Sequence, residues 1–489
     1  MSSTSPSESR TVPRLAILSY SSAEFDARTQ RIARSAVEAG WHVTVYARTD
    51  PALPDVVEAD GYRIVRVATD IRLAVPGLRG SGRRRLAARR RTIELEPAGT
   101  TSAADRGTAG RHEASASADG RPTTRKSRPR PATGLVGRLP PSLRGTFLSP
   151  FLRGIKIRMH RLLGRRHAIA VFPLRPMAWA VALEDAVEPA DLWHGMWAGS
   201  LPALGRLRRK HGGRTIYDSR DIYLHSREFD RMGRVRRGAL QAIERRWAQA
   251  ADAVVTVNDA YADILARTLR VPRPPVVMNC PALWTPPDPP PDRIRATLGL
   301  PATTKVVLYQ GNLITERGIE QSMDAILEIP DAVLVLLGYG SLREGLVARA
   351  AAPPFKDRVH VLPPVHPSEL LEWTASSDVM VMAIQPTSLN HRFTTPQKLF
   401  EALAAGVPVV ASDLPGMADI VQATDAGVLC DPTSPASIAA AIRQVLGQEP
   451  AGLAAMRERA RRAARDTYNW DRQVTTLFEV YQRLLDQGA

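Results

Sequence analysis

The sequence predicts an α/β protein built from two parallel-sheet domains, and three observations carry that expectation. The chain has 489 residues, room for two or three domains of roughly 150 residues each. Short apolar runs alternate with helical patterns in two separate blocks, the rhythm of parallel strands covered by helices. A proline-rich stretch, 281–291, parts the blocks. Hydrophobic residues make up 44% of the chain, enough for two cores.

Taken in order, residues 1–11 are polar, lack the apolar centre of a signal peptide, and are expected to be disordered. Apolar strands at 14–20 and 42–47 flank a helical pattern, 28–39, that closes at Gly40, and 64–68 continues the alternation. From 79 to about 145 the chain is Arg, Ala, Gly, Ser, Thr and Pro with few large apolar groups. Such a segment buries too little surface to offset its ordering entropy, so disorder is expected. In 151–166, Phe151, Leu152, Ile155, Met159, Leu162 and Leu163 share one helical face, and Arg153, Lys156, Arg158 and Arg161 lie largely on the other. Two accounts fit: a surface helix packed on the first domain, or a basic amphipathic helix lying on an anionic membrane. Strands at 191–194, 215–218 and 253–257 complete a first domain over 12–280. A linker, 281–300, precedes a second domain, 301–466, with strands at 306–310, 332–337, 359–362, 379–382 and 407–411. An amphipathic helix at 468–485 fills the last segment, 467–489.

Composition excludes several functions. Residues 79–166 hold 22 Arg plus Lys against 5 Asp plus Glu, an excess equal to the whole chain's +17. The body is therefore balanced and offers no basic groove, and the basic segment lacks the interleaved aromatics of a nucleic-acid binder. The apolar stretch 168–183 is broken by Pro173, Arg175 and Pro176, so no membrane span is expected. Cys280 and Cys430 have neither metal-ligand nor disulfide spacing, which points to a reducing, cytoplasmic setting.

The most informative segment is 394–412, TTPQKLFEALAAGVPVVAS. Thr395 fits an N-cap and Pro396 the first helical position. Leu399, Phe400, Leu403 and Ala404 form an apolar face, and Gly406 ends the helix ahead of Pro408. Amides at Thr394–Thr395, with the positive helix end and Lys398, suit an anion. Glu401, one turn on, can accept hydrogen bonds from a diol. An ordinary capped helix feeding a strand accounts for the same spacing.

This wording resembles the P-x-K-L-F-E-A-x-A-x-G-x-P-V-V block of retaining, nucleotide-sugar-dependent glycosyltransferases of family 4. The resemblance implies the GT-B fold: two Rossmann-like domains facing each other across a cleft, here with a basic disordered insertion in the first. It implies Glu401 as a ribose ligand, matching the second of two glutamates that the family carries eight positions apart, while Phe393 stands where the first would be. Of the family's two phosphate-side cations, the first position is Asn312, after Gly311, and the second is Arg317, ahead of Gly318. Lys398 is the candidate for the missing charge. Gly338-Tyr339-Gly340 corresponds to a loop near the nucleotide, and Pro364 and Val365 to the base site. On the acceptor side, Glu24–Arg28 looks like the family's D-x-R loop, giving Asp26 and Arg28, although Arg28 can equally start its helix. The run 191–194 resembles the D-x-x-H that puts a histidine, His194, in the cleft. The run 217–221 resembles Y-D-x-H-E, with Arg220 in place of the histidine and Asp221 at the glutamate. Asn279-Cys280-Pro281 resembles the turn that closes the first domain, and the resemblance implies that the last helix, in 467–489, crosses back to that domain with Trp470 and Tyr481 as anchors.

These likenesses imply a metal-independent glycosyltransferase with no cofactor beyond its nucleotide diphosphate sugar, an unidentified acceptor, and catalytic His194, Arg317 and Lys398. The departures leave three alternatives: a nucleotide-sugar epimerase of the same fold, a nucleic-acid- or membrane-binding protein using its basic segment, and an inactive scaffold.

Overall fold

The computed structural model describes residues 12–95 and 173–487, apart from 25, 227–228, 230–231, 288 and 290–291. The first sheet has seven strands: β1 (Arg14–Ser19), β2 (His42–Arg48), β3 (Val56–Ala59), β4 (Tyr62–Val67), β5 (Leu192–Met196), β6 (Arg214–Ser219) and β7 (Ala253–Thr256). They lie in the order β3-β4-β2-β1-β5-β6-β7, parallel except for β3, which pairs antiparallel with β4. The second sheet is parallel throughout. Its strands are β8 (Lys305–Asn312), β9 (Ala332–Tyr339), β10 (Val359–Leu362), β11 (Val379–Met382), β12 (Val409–Ser412) and β13 (Gly427–Cys430). Their order is β10-β9-β8-β11-β12-β13.

A parallel sheet covered on both faces needs strands that are apolar at every position. Alternate residues of the second sheet therefore feed two cores. Val306, Leu308, Val333 and Val335 join one, and Val307, Tyr309, Leu334 and Leu336 the other.

The helix Trp470–Asp486 returns to the first domain. Leu477, Val480, Tyr481 and Leu484 pack with Leu15, Ile17, Val43 and Leu192 in one core. Trp470 Nε1 donates to Ser35 Oγ at 2.9 Å. Burying each such apolar side chain contributes about 1.5–3 kcal/mol, so this helix is part of the first domain's core.

Several elements differ from expectation. Arg79–Leu95 is helical where disorder was expected; Arg, Ala and Leu are good helix formers even without an apolar face. The rest of the 79–145 segment and the whole 151–166 helix lie outside the described residues. The 281–300 segment contains the helix Arg293–Leu298. Its Ile294 is buried in a second-domain core, and Arg293 and Arg295 pair with Glu372 and Asp378. Strand β12 begins at Val409 because Pro408 has no N–H for the ladder; its carbonyl accepts from Met380 N instead. The four-residue strands β3 and β13 were not anticipated.

Candidate active site

At the carboxyl ends of the second sheet, β8 and β9 come together through glycine. A Cβ on Gly338, at φ +153°, would stand 2.0 Å from Gly311 O, so only glycine fits. After β8 the chain turns through Arg317 into the helix Ile319–Ile326, whose N-cap is Gly318. Lys398 reaches in from the helix Gln397–Ala405 and holds Nζ 3.8 Å from the centroid of the Tyr309 ring. Tyr309 OH donates to Asn312 O at 2.8 Å.

Burial pulls the Lys398 ammonium down to about 7, and repulsion from Arg317 adds to this while Glu401 opposes it. Among the described residues neither Arg317 nor Lys398 takes part in an ion pair. Two neighbouring cations that no carboxylate pairs directly form a site for a polyanion.

The start of that helix differs from expectation. Pro396 is the N-cap, in extended conformation and with no side-chain cap, and Gln397 is the first helical residue. Thr395 does not cap, because its Oγ1 accepts from Asn258 Nδ2 of the first domain at 3.2 Å. Thr394 closes the preceding helix, Leu389–Phe393. Asn258 Nδ2 also donates to Phe393 O, while Ile222 N and Tyr261 OH donate to the Asn390 side-chain and backbone oxygens at 2.7 and 3.0 Å. The segment 389–397 is thus hydrogen-bonded to both domains.

Glu401 is buried, and burial raises its carboxyl, an effect that bonds from Gln310 and Gln397 moderate. Oε2 accepts from Gln310 Nε2 at 2.6 Å and Oε1 from Gln397 Nε2 at 2.7 Å. The chain of bonds continues from Asn279 Nδ2 to Gln397 Oε1 at 3.0 Å, and Arg31 donates to Asn279 Oδ1. Burial lowers the Arg31 guanidinium to about 10, with Glu401 opposing. Pro364 is exposed and Val365 half-buried beyond the end of β10.

The first-domain rim is organised differently. His194 and Arg28 do not line a cleft, contrary to expectation; they are 0% and 1% exposed. His194 Nδ1 lies 2.7 Å from Tyr481 OH and Nε2 3.3 Å from Asp218 Oδ2. Arg28 Nε donates to the same carboxylate at 2.7 Å, and NH1 to Val277 O at 2.8 Å. Burial works to raise the Asp218 carboxyl, but Arg28 and then His194 hold it well below the usual range. The reason is local: β5 continues two residues past His194, so the histidine sits within the sheet.

Asp26 caps the first helix through Thr29 and receives both Arg220 guanidinium nitrogens at 2.6 and 3.2 Å. Burial opposes its ionisation, yet Arg220 and then Thr29 hold its carboxyl below normal. Asp221 is exposed to water, yet protein atoms crowd its carboxyl. Burial raises its carboxyl, with Arg220 and, from the second domain, Arg317 opposing.

The feature that sequence reasoning missed is Trp197, just past β5. It is 41% exposed, its backbone sits at φ 68°, ψ 160°, and the Arg220 guanidinium lies 4.8 Å from its ring centroid. That conformation belongs almost solely to glycine and costs about 1–3 kcal/mol for other residues. Nothing in the local sequence signals it.

Residues 291–467 match the family of glycosyl transferases group 1, and residues 104–282 match the glycosyl transferase 4-like domain. A D-inositol 3-phosphate glycosyltransferase of Xylanimonas cellulosilytica is 30% identical over 193 residues, 38% of this chain and 44% of that relative. The match thus spans less than half the curated relative's length. Among solved structures, sucrose-phosphate synthase from Thermosynechococcus elongatus aligns over 97% of this chain and 100% of its own, with TM-score 0.64 and 18% identity. The Anabaena protein HepE, solved with UDP and glucose, aligns over 96% and 99%, with TM-score 0.60 and 14% identity. At such identities the structural likeness speaks for the fold.

Proposed function

As a member of the glycosyl transferases group 1, with a glycosyl transferase 4-like segment ahead of that domain, this chain is, we propose, a retaining enzyme. It moves a sugar from a nucleoside diphosphate donor to an acceptor hydroxyl. The observation that carries the reading is the pair Arg317 and Lys398, two cations with no ion-pair partner among the described residues, where β8 and the helix Gln397–Ala405 converge. HepE was solved with UDP, which makes UDP the first nucleotide to test.

In this reading the donor diphosphate lies against Gly311 and Gly338, where missing side chains let backbone approach closely, and against Asn312 beside them. The Thr394–Thr395 segment and Lys398 face it from the other side. Glu401, fixed by its two glutamines, receives the ribose hydroxyls, and the base rests by Pro364 and Val365. As the glycosidic bond breaks, negative charge grows on the departing phosphate oxygens, and Arg317 and Lys398 offset it. A departing oxygen takes the proton of the acceptor hydroxyl, which attacks from the same face, so configuration is retained. Asp26, Arg220 and Asp221 stand on the acceptor side. His194 serves as a positioning residue, since it holds Asp218 and Tyr481 beneath the rim rather than touching substrate.

The reading calls for no essential metal, which EDTA treatment tests. Among the described residues no helix is long and apolar enough to cross a membrane. Cytoplasmic placement and attachment to an anionic surface through 79–166 belong to the same proposal, and vesicle flotation with and without that segment tests the attachment.

The deciding experiment is a thermal-shift and turnover screen against UDP, GDP and ADP sugars. A ligand at a hundred times its Kd stabilises by about 2.7 kcal/mol. One nucleotide is expected to do so, with the effect lost in Lys398→Met and Arg317→Met. Wild-type turnover in both variants would overturn the assignment. An isomerised free sugar formed without acceptor would instead indicate the epimerase.

A further inference from the structure

We propose that Trp197 is a stacking platform for a carbohydrate ring of the acceptor, a proposal that rests on the donor reading above. At φ 68°, ψ 160° the backbone at this position asks for glycine. It is also clamped: Trp197 N donates to Asp218 O at 3.1 Å, and Ser200 N and Oγ both donate to Trp197 O, at 3.0 and 2.7 Å. The turn is pressed against Tyr20, whose ring lies 2.4 Å from where a Cβ on Gly199 would stand. This conformation is therefore imposed by the loop, and glycine would satisfy it without strain.

An indole that repaid the strain through packing would be buried, yet Trp197 is 41% exposed. One side of its ring carries Arg220, and Arg220 is itself fixed by two bonds to Asp26. Exposed, strained and held from one side, the ring has the features of a contact surface.

Trp197 follows β5 at the carboxyl rim of a parallel sheet, where open α/β folds bind ligands. Its neighbours in the adjoining loop are Arg220 and the exposed Asp221, and Arg317 of the donor side acts on Asp221. A sugar ring offers a matching pair of features: an apolar C–H face for the indole, and edge hydroxyls that donate to a carboxylate. A cation held behind the ring also draws on its π face.

The test is saturation-transfer NMR on the full chain, with and without UDP. The probes are methyl α-glucoside, methyl α-mannoside, methyl α-galactoside and myo-inositol. At least one probe is expected to give signal, strongest on the C–H protons of one ring face. The signal should fall at least fivefold in Trp197→Ala and Trp197→Gly and persist in Trp197→Phe. Over the same variants the UDP Kd should stay within twofold, and the Tm of Trp197→Gly should equal or exceed wild type. A weaker UDP Kd in Trp197→Ala would overturn the proposal in favour of a nucleobase platform. A lower Tm in Trp197→Gly would overturn it in favour of a structural role. Signal from no probe, or signal surviving in Trp197→Ala, would overturn it outright. Failure of UDP to bind wild type counts against the donor reading alone, because the glycoside arm without UDP still decides the platform.

Discussion

The two rims that carry the proposed chemistry handle positive charge in opposite ways. In the first domain Arg28 pairs with Asp218, Arg220 with Asp26 and Arg66 with Glu24. In the second, Arg317 and Lys398 sit together without an ion-pair partner among the described residues, and burial, then repulsion from Arg317, lowers the ammonium of Lys398 while Glu401 opposes. A buried cation with a fixed partner is part of the architecture. A crowded cation without one costs stability until an anion arrives, so on the proposed function the difference separates residues that hold the fold from residues that wait for a ligand.

The strongest way to break that contrast is Asp218→Ala, which leaves Arg28 buried and unpaired. The expected loss is about 3–5 kcal/mol in urea unfolding. Lys398→Met, by contrast, should leave the ligand-free protein as stable as wild type or more so. If both variants unfold alike, the division between structural and waiting cations fails.

Next in size is turnover. Arg317→Ala and Lys398→Ala are each expected to lower it about a hundredfold, comparable to removing one oxyanion donor. The pH dependence sharpens the same point. In the free protein Lys398 loses its proton near 7, and a bound diphosphate favours the protonated form. UDP affinity should therefore fall as pH rises above about 7, by up to tenfold per unit, and calorimetry across pH 6–9 measures it. Stability of the free protein should move the other way. Between about 7 and 10.5 the unfolded lysine holds a proton that the folded one has lost, so stability rises with pH across that window. Lys398→Met should flatten both trends.

The smallest effect is a control. Arg34 and Asp60 pair at 2.7 Å but are about half exposed. Arg34→Ala should cost about 1 kcal/mol or less, showing that burial rather than pairing sets the scale at Arg28.

Much of the second domain was legible in the sequence because its signals are local. Glycines at a strand end, a cation before Gly318 and an apolar helical face in 397–405 each state their role within a few residues. Legibility failed where a distant partner decides. Thr395 reads as a cap until Asn258, 137 positions away, takes its hydroxyl. His194 and Arg28 read as cleft residues because their burial depends on β5 running on and on a helix that arrives at Trp470. Trp197 gave no signal, since its backbone angle is set by closure of the turn from β5 to Ser200. The proline run suggested a linker, but Ile294 shows that the second domain's packing begins before 301.

The return of Trp470–Asp486 to the first domain orders events during synthesis. Domains generally fold as units while the chain emerges, N-terminal part first. Here Leu477, Val480 and Tyr481 belong to the first domain's core but are translated after the second domain. The first sheet must wait, its apolar surface incomplete, while the second domain can close ahead of it. In a released chain truncated after residue 466, protease should find a resistant second domain and a labile first one. The order of maturation is then the reverse of the order of synthesis.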